Sequence, residues 1–389
     1  MFKRYTVLFL YEKKKFLICY FLVTSKLFIP RLYFLNVKKN RVRHNKKTVH
    51  HNKEHLRFMD KKSLANTKKI LFYAELLDKV RKEASKIIVG QKNVIDGLLM
   101  GVLCNGHVLV EGVPGIAKTL IVRTLSVVTG GEFSRIQFTA DLLPTDVTGL
   151  TIYEEKIKKF KIVKGPVFAN FLLADEINRS PPKTQSALLE AMQEKEVTIG
   201  VTTYKLPNPF FVMATQNPIE QGGVYTLPEA QIDRFLFKIL VNYPSTEDEL
   251  EILEKNMTLR LFESYKLNSV ITPSKINEMQ SEVKKVYMSK DIASYIVNII
   301  DATRYPSKYN INSGKYIGYG SSPRASIGLF IASKARAFMK RCSYVLPEHV
   351  KEVVPDVLRH RILLNYEGQA ENINPDEIIK EILQKVKVP

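Results

Sequence analysis

The chain has 389 residues, of which 45% are hydrophobic and 25% charged, and its formal net charge is +20. These proportions are typical of a globular protein with two or three domains, and no collagen, coiled-coil or short-period solenoid repeat is visible. The three cysteines, Cys19, Cys104 and Cys342, are far apart in sequence, which argues against a disulfide scaffold and against a cysteine-rich zinc site.

The positive charge is concentrated in residues 1–58, called the leader below. The leader contains 15 Lys and Arg residues against two acids, whereas the rest of the chain carries only +7, so the charge does not indicate a nucleic-acid-binding body. Its longest apolar run, about residues 16–23, is shorter than the roughly 20 residues that a spanning helix needs. The basic tail that follows is typical of a disordered segment. We expect a cytoplasmic protein that starts near Met59, with a membrane or anionic-surface anchor as the alternative for the leader.

Strands and helices are predicted to alternate after the leader. Apolar residues at helical spacing predict helices at 71–86, 93–103, 119–128 and 184–194. Short apolar runs predict buried strands at 107–111, 171–174 and 210–214. This alternation predicts a parallel α/β sheet with helices on both faces.

The C-terminal part has a different pattern, rich in helix signals and poor in strand signals. It begins after Tyr243-Pro244-Ser245 and predicts an all-helical domain. Ser322-Pro323 and Asn374-Pro375 each predict a helix start, with a cap followed by proline at the first helical position. Residues 307–322 are predicted to form a loop.

The segment between the first predicted strand and its helix has the pattern of a phosphate-binding loop. It consists of Gly112, Val113, Pro114, Gly115, Ile116, Ala117, Lys118 and Thr119. Such a loop points backbone amides at phosphate oxygens, and the helix N-terminus adds partial positive charge. Lys118 is expected to reach the β- and γ-phosphates of ATP, and the Thr119 hydroxyl to bind Mg²⁺. Ala117 replaces the usual glycine, which is tolerable in helical conformation; a surface turn with a chance Lys-Thr pair is the alternative.

Two further strand ends carry polar residues. Asp175 and Glu176 follow four apolar residues, and ligands in open α/β sheets bind at that edge. Asp175 is expected to hold Mg²⁺ and Glu176 to orient the attacking water, with an acidic helix cap as the alternative. Asn217, after the third strand, can hydrogen-bond the γ-phosphate or the water, although asparagine before proline is also common in turns.

Two arginines and a glutamine complete the candidate site. An arginine from a neighbouring subunit can raise the rate of phosphoryl transfer by roughly 10³–10⁵, and Arg234 is the candidate. The alternative is a local ion pair between Asp233 and Arg234. Arg324 begins a helix, where a cation is unfavourable, so it should have another partner, a phosphate being one candidate. Gln91 is a candidate for the nucleotide base, with backbone contacts as the alternative.

Taken together, five motifs resemble the MoxR family of AAA+ ATPases over roughly residues 65–385. They are GVPGIAKT at 112–119, the apolar run with DEINR at 171–179, ATQNP at 214–218, EAQIDRF at 229–235 and SPRA at 322–325. The leader has no counterpart in this resemblance. The family implies an α/β fold, a P-loop NTPase αβα sandwich with a C-terminal all-helical lid. The predicted domains are residues 1–64, which include the leader, 65–244 for nucleotide binding and 245–389 for the lid.

The resemblance also implies an assembly and an activity. Members form rings, often hexameric, and bind and hydrolyse ATP with Mg²⁺ to remodel partner proteins, often ones with a von Willebrand factor A domain. One subunit is then expected to supply Lys118, Thr119, Asp175, Glu176 and Asn217. Arg234 would reach the neighbour's ATP, and Arg324 would be a second sensor that acts either in cis or in trans.

Two other classes of function compete with this one. A nucleic-acid or chelatase-type motor would use the segment before the third strand, about residues 195–208, to touch DNA. That segment contains Lys195 and Lys205 but no basic cluster, so no specific nucleic acid is expected. A nucleotide-gated scaffold with negligible turnover is the other class, and the intact Asp175–Glu176 pair argues against it.

Overall fold

The structure, a computed structural model, describes residues 5–12, 15–22, 62–112, 118–156, 158–216, 225–256 and 262–389. The chain divides into two compact units, Met1–Asp60 and Lys61–Pro389. The first unit contains two antiparallel strands, β1 (Tyr5–Glu12) and β2 (Lys15–Leu22), which the sequence analysis did not predict. Both are rich in aromatic and β-branched residues, which favour strands. The basic tail of the leader lies outside the described residues.

The second unit contains the predicted alternation of strands and helices. Its strands are β3 (Val108–Gly112), β4 (Phe133–Gln137), β5 (Gly149–Glu154), β6 (Lys159–Lys164), β7 (Phe171–Asp175), β8 (Glu196–Ile199), β9 (Thr202–Lys205), β10 (Phe211–Gln216), β11 (Phe237–Val241), β12 (Ile317–Tyr319) and β13 (Leu363–Leu364). Its helices are α1 (Lys62–Ala84), α2 (Lys92–Leu103), α3 (Lys118–Val128), α4 (Pro144–Thr148), α5 (Pro182–Glu194), α6 (Glu229–Ile232), α7 (Thr246–Asn256), α8 (Pro273–Lys285), α9 (Lys290–Arg304), α10 (Pro323–Met339), α11 (Pro347–Leu358), α12 (Tyr366–Ala370) and α13 (Pro375–Lys385).

Five of the strands form one parallel sheet in the order β11-β3-β10-β7-β4. The three central strands, β3, β10 and β7, were predicted from apolar runs in the sequence, and the structure confirms them. The edge strands β4 and β11 were not predicted, because polar residues interrupt their apolar pattern: Arg135 and Gln137 in β4, and Lys238 in β11. Edge strands have one neighbour fewer and tolerate such residues.

Both faces of the central strands are buried, as is typical of a parallel sheet. In β3, Val108 and Val110 lie in one hydrophobic core and Leu109 in the other, which is the period-two alternation of a strand. The first core also contains residues of α1, α2 and α3, together with residues of the C-terminal helices α8, α9, α10, α11 and α13. The C-terminal helices and the sheet domain therefore share one apolar core.

Two antiparallel hairpins are inserted between the sheet strands, and neither was predicted. β5 pairs with β6, and β8 pairs with β9. The second hairpin corresponds to the segment around residues 195–208. In it Glu196 lies opposite Lys205, so the one basic residue of these two strands faces an acidic residue.

The C-terminal part is helical, apart from a short ladder between β12 and β13 inside and after the predicted loop. The two predicted helix starts are confirmed. The side chain of Ser322 accepts a hydrogen bond from the Arg324 N–H, and that of Asn374 accepts one from the Asp376 N–H. Proline occupies the first helical position in both helices.

The described part of the chain lacks two features. It contains no helix that is both long and apolar enough to cross a membrane. It also contains no group of three or more His, Cys, Asp or Glu side chains arranged to hold a metal ion. Cys104 and Cys342 are free thiols.

The contrast between a buried and an exposed phenylalanine gives a test of the core. Phe171 in β7 is 0% exposed and packs against Phe211, whereas Phe160 in the β5–β6 hairpin is 76% exposed. Phe171→Ala should lower the free energy of unfolding by about 3–5 kcal/mol, because it leaves a cavity in the core. Phe160→Ala is the matched control and should change it by less than about 0.5 kcal/mol. Urea denaturation measures both; equal losses would contradict the assignment of this core.

Candidate functional site

The proposed phosphate-binding loop connects the end of β3 to the start of α3. Gly112 is the last residue of β3 and Lys118 the first of α3. The Lys118 Nζ donates a hydrogen bond to the Gly112 carbonyl oxygen at 2.7 Å, so the side chain folds back toward the start of the loop. Thr119 follows in the first turn of α3, half-buried. Residues 113–117, from Val113 to Ala117, lie outside the described residues.

The acid pair lies at the same edge of the sheet as this loop. Asp175 is the last residue of β7, paired with Gln137 of β4, and Thr215 of β10 is paired with Val110 of β3. Glu176 follows with φ +56°, a left-handed conformation that is uncommon for a residue with a side chain. The chain therefore leaves the strand at Glu176 and enters a short 3₁₀ turn, Ile177–Arg179.

The Asp175 carboxylate is held by contacts to both of its oxygens. The Thr215 hydroxyl donates to Asp175 Oδ1 at 2.7 Å, and Arg135 Nη2 donates to Oδ2 at 2.8 Å. The same Thr215 hydroxyl accepts a hydrogen bond from the Glu176 N–H at 2.8 Å. One hydroxyl thus fixes the carboxylate of one acid and the backbone of the other.

The Glu176 carboxylate is oriented by two donors that share one oxygen. Gln137 Nε2 donates to Glu176 Oε2 at 2.6 Å, and Arg179 Nη1 donates to the same atom at 3.1 Å. Gln137 belongs to the neighbouring strand β4, so the contact connects two elements far apart in sequence. Both donors restrict the rotation of the side chain that is the candidate to orient water.

The electrostatics bring Lys118 and the acid pair into one site. Burial lowers the pKa of the Lys118 ammonium below its ordinary value, while the nearby carboxylates of Asp175 and Glu176 act in the opposite direction. A phosphate bound here would compensate the ammonium for the water it has lost. The structure therefore brings together three of the side chains that the sequence singled out.

Sequence reasoning missed four side chains of this site: Arg135, Gln137, Arg179 and Thr215. Thr215 lies in the ATQNP segment, and its position at the end of an apolar strand was the signal that could have found it. Arg135 and Gln137 alternate along β4, which was not recognised as a strand.

Two other predicted positions have different outcomes. Asn217 lies outside the described residues, as do residues 218–224, so its role stays a prediction. Gln91 stands at the N-cap position of α2, without a capping hydrogen bond from its side chain, and is half-buried. Its neighbours Gly90 and Lys92 line a cavity of about 630 Å³ together with Asp248 of α7. Whether Gln91 contacts a base stays a prediction.

Arg234 and Arg324 line a single cavity of about 330 Å³. Arg234, between α6 and β11, is exposed, and its Nη1 donates to the Leu189 carbonyl oxygen at 3.1 Å. Arg324 Nη1 lies 3.8 Å from Asp233 Oδ2. The partner of Arg324 within this chain is therefore the Asp233 carboxylate. Asp233 pairs with the lid residues Arg324 and Arg361, and not with Arg234 as the alternative from the sequence had it.

This cavity lies where the parallel strands begin, whereas the acid pair lies where they end. Its lining includes Gly106 and His107, which immediately precede β3, whereas the phosphate-binding loop follows β3. A five-residue strand separates these edges by roughly 13 Å, at about 3.3 Å per residue. Arg234 and Arg324 thus lie near the N-terminal ends of the strands, whereas Lys118 of the same chain lies near their C-terminal ends.

The residues at the acid-pair edge fit a magnesium ion bound together with a nucleotide. Mg²⁺ prefers hard oxygen ligands and usually takes one or two carboxylates plus phosphate oxygens and water. Asp175 offers a carboxylate fixed by Thr215, and Thr119 offers a hydroxyl in the first turn of α3. A cluster of three protein carboxylates is not needed for such a site.

Comparisons with known proteins agree with this geometry. Residues 107–237 match the model for the ATPase family associated with various cellular activities (AAA), and residues 311–382 match the AAA lid domain. The chain is 48% identical over 314 residues to Chaperone MoxR1 of Mycobacterium tuberculosis, covering 80% of this chain and 82% of that protein.

The chain belongs to the MoxR family of AAA+ ATPases. Protein YeaC of Bacillus subtilis is 44% identical over 315 residues, covering 81% of this chain and 95% of YeaC. A crystal structure of a protein assigned as an ATPase, from Cytophaga hutchinsonii, is 49% identical, with a TM-score of 0.78, and covers 85% of this chain and 99% of that one. The predicted fold, a parallel AAA+ sheet with a C-terminal helical lid, is confirmed, and this MoxR-family protein is a nucleotide-binding ATPase.

The contacts of Thr215 predict its importance for ATP hydrolysis. Thr215→Val keeps the shape of the side chain but removes the hydroxyl that fixes Asp175 and the Glu176 N–H. Turnover of ATP should fall about 10–100-fold, the usual effect of losing a group that orients a metal ligand, with ATP affinity little changed. Thr198→Val is the matched control, because that hydroxyl pairs with Thr203 on the exposed β8–β9 hairpin. Full turnover in Thr215→Val would contradict this role.

Proposed function

We propose that this MoxR-family ATPase binds ATP with Mg²⁺ and uses hydrolysis to remodel partner proteins, in the manner of a chaperone. The observation that carries the proposal is the convergence of Lys118, Asp175 and Glu176 at one edge of the sheet, described above. A lysine and a strand-end acid pair are the groups that P-loop ATPases use for phosphoryl transfer to water.

Each residue has a distinct part in the proposed reaction. Lys118 binds the β- and γ-phosphates, together with the amides of residues 112–117. Thr119 and Asp175 hold Mg²⁺, which would neutralise the charge on the phosphates when bound. Glu176 orients and polarises the attacking water, and Asn217 hydrogen-bonds the γ-phosphate or that water.

The position of the two arginines supports a ring in which neighbouring subunits complete each site. Arg234 and Arg324 lie at the sheet edge opposite Lys118, too far to meet a nucleotide bound by the same chain. We propose that both act in trans, on ATP held by the adjoining subunit, with Arg234 as the arginine finger. Rotational closure of such head-to-tail contacts gives a ring, and the family resemblance favours a hexamer.

The proposed output of the ring is a conformational change in a protein client. ATP bridges two subunits through Arg234, and hydrolysis removes the bridge, so nucleotide state shifts the population of ring conformations. The name of one relative, Chaperone MoxR1, supports this class of activity. A partner with a von Willebrand factor A domain and a cytoplasmic location are further parts of the proposal. The β8–β9 hairpin, with Glu196 opposite Lys205, gives no support to nucleic-acid binding.

The first test separates ATP binding from hydrolysis. Lys118→Ala should abolish ATP binding, because it removes the cation that meets the phosphates. Glu176→Gln should keep ATP binding while turnover becomes negligible, because an amide cannot polarise the water as a carboxylate does.

Since Glu176→Gln stays loaded with ATP, a pull-down with it should retain client proteins that Lys118→Ala releases. Equilibrium nucleotide binding, phosphate release and mass spectrometry of the retained proteins measure these effects.

Normal turnover in Glu176→Gln would show that another group orients the water. A client set that is identical in the two variants would contradict ATP-driven remodelling while leaving the ATPase assignment intact. Glu348→Gln, exposed in the first turn of α11, is a matched control for loss of one carboxylate.

The second test concerns the finger in trans. Arg234→Ala should lower turnover by roughly 10³-fold or more while ATP still binds. Mixing Arg234→Ala with Glu176→Gln subunits should restore part of the activity. At some mixed interfaces an intact Arg234 then meets an intact Glu176. Turnover is measured as a function of the mixing ratio, with ring size checked by light scattering. Absence of rescue at every ratio, in intact rings, would count against action in trans.

A further inference from the structure

Three consecutive lid residues, Arg359, His360 and Arg361, follow α11 and contact the backbone on either side of Arg234. The segment that they contact, residues 233–238, runs from the end of α6 into the edge strand β11. These three residues belong to none of the five sequence motifs and have no part in the function proposed above. Their contacts lie 120 or more positions away in sequence, so they connect the lid to the sheet domain.

Arg361 makes the densest set of these contacts. Its Nη2 donates to the carbonyl oxygens of Asp233 at 3.0 Å and Phe235 at 2.7 Å, the residues immediately before and after Arg234. Its Nη1 donates to the Leu236 carbonyl oxygen at 3.2 Å. The planar, five-donor guanidinium is the side chain that can hold several carbonyls at fixed angles.

An ion pair reinforces these main-chain contacts. Arg361 Nε donates to Asp233 Oδ1 at 2.6 Å, and the Ser322 hydroxyl donates to Asp233 Oδ2 at 2.9 Å. Arg324 lies 3.8 Å from the same Oδ2. The carboxylate next to the finger is therefore held by two lid elements, the start of α10 and the end of α11.

The other two residues extend the contact along the segment. His360 Nε2 lies 3.1 Å from the Phe235 carbonyl oxygen, which can only accept, so this nitrogen carries the proton. Arg359 donates to the Lys238 carbonyl oxygen and forms an ion pair with Asp376 of α13 at 3.0 Å. Four carbonyls of this segment, those of Asp233, Phe235, Leu236 and Lys238, are thus bonded to the lid.

Arg361 is buried and Arg234 is exposed, as expected if the first positions the second. The Arg361 side chain is 3% exposed, whereas Arg234 is exposed, and its guanidinium contacts the Leu189 carbonyl. A buried charged pair contributes little net stability compared with apolar packing. Its directional contacts instead fix the backbone from which the exposed Arg234 projects.

We propose that Arg361 is a positioning residue that aims Arg234 at the neighbouring subunit's ATP and makes the position of this finger depend on the lid. This inference rests on the proposed function, because it needs Arg234 to act as a finger. A displacement of about 1 Å in a catalytic group can cost on the order of 100-fold in rate. Loss of the Arg361 contacts should therefore lower turnover while leaving ATP binding intact.

The experiment measures kcat and KM for ATP in full-length Arg361→Gln and Arg361→Lys rings. We expect Arg361→Gln to lower kcat about 10–100-fold with KM changed less than about threefold. Arg361→Lys, which keeps the charge beside Asp233 but has fewer donors for the carbonyls, should lie between Arg361→Gln and the unaltered protein. Arg341→Gln is the matched control: this exposed lid arginine pairs with Asp78 on the surface, and its loss should leave kcat unchanged.

A double-variant cycle distinguishes positioning of the finger from a general structural role. If Arg361 acts through Arg234, adding Arg361→Gln to Arg234→Ala should change kcat by less than about twofold. Arg361→Gln mixed with Glu176→Gln should also be rescued, as expected for Arg234→Ala. A further 10-fold loss in the double variant, or no rescue where Arg234→Ala is rescued, would overturn the inference and leave the finger itself intact.

Two other outcomes are equally informative. If Arg234→Ala retains full turnover or is never rescued, the finger assignment fails first, and the inference fails with it. If Arg361→Gln does not assemble, the same cycle is run with Arg361→Lys, whose additivity with Arg234→Ala would again overturn the inference.

Discussion

The Thr215 hydroxyl is the contact on which the candidate catalytic site depends. It donates to Asp175 and accepts from the Glu176 N–H, so one side chain of β10 fixes two functional groups on β7. A hydroxyl can do this because it has one proton to donate and lone pairs to accept. Glu176 has a positive φ, which costs a residue with a side chain on the order of 1 kcal/mol or more. The hydrogen bond to its N–H offsets part of that strain and keeps the chain turning away from the strand at the required point.

The length of strand β3 then determines how far the phosphate-binding loop lies from Arg234 and Arg324. β3 places the phosphate-binding loop at its C-terminal end, and the residues before it line the cavity with Arg234 and Arg324. Because β3 lies between these two groups, they are roughly 13 Å apart within one chain. In the proposed ring, a complete set of groups would form only between two neighbouring subunits, so the proposed chemistry would require assembly. In the proposed ring, substrate positioning and charge stabilisation would come from different chains, so the rate of hydrolysis would depend on the interface between subunits.

The parts of the fold and site that the sequence predicted share a physical origin. β3, β7 and β10 are central strands, so both faces are apolar and the runs are recognisable, and the polar residues at their ends mark the sheet edge. β4 and β11 are edge strands with Arg135, Gln137 and Lys238 among their residues, and the two inserted hairpins are partly solvent-exposed, so neither follows an apolar pattern. Arg135 and Gln137 reach the acid pair only through strand pairing between residues about 40 positions apart. A single sequence contains no local signal for such a contact.

The contacts of Arg361 illustrate the same limit and suggest why the lid is built with charges at this point. Apolar side chains could attach α11 to the sheet domain, but they would not recognise the direction of individual carbonyls. The guanidinium bonds the carbonyls on both sides of Arg234 and the Asp233 carboxylate at once, so a small rotation of the lid would disturb several directional contacts together. The lid also carries Ser322 and Arg324 against the same carboxylate. A lid that moves with the nucleotide state must then move the finger with it, and this would couple the site of one subunit to the site of the next.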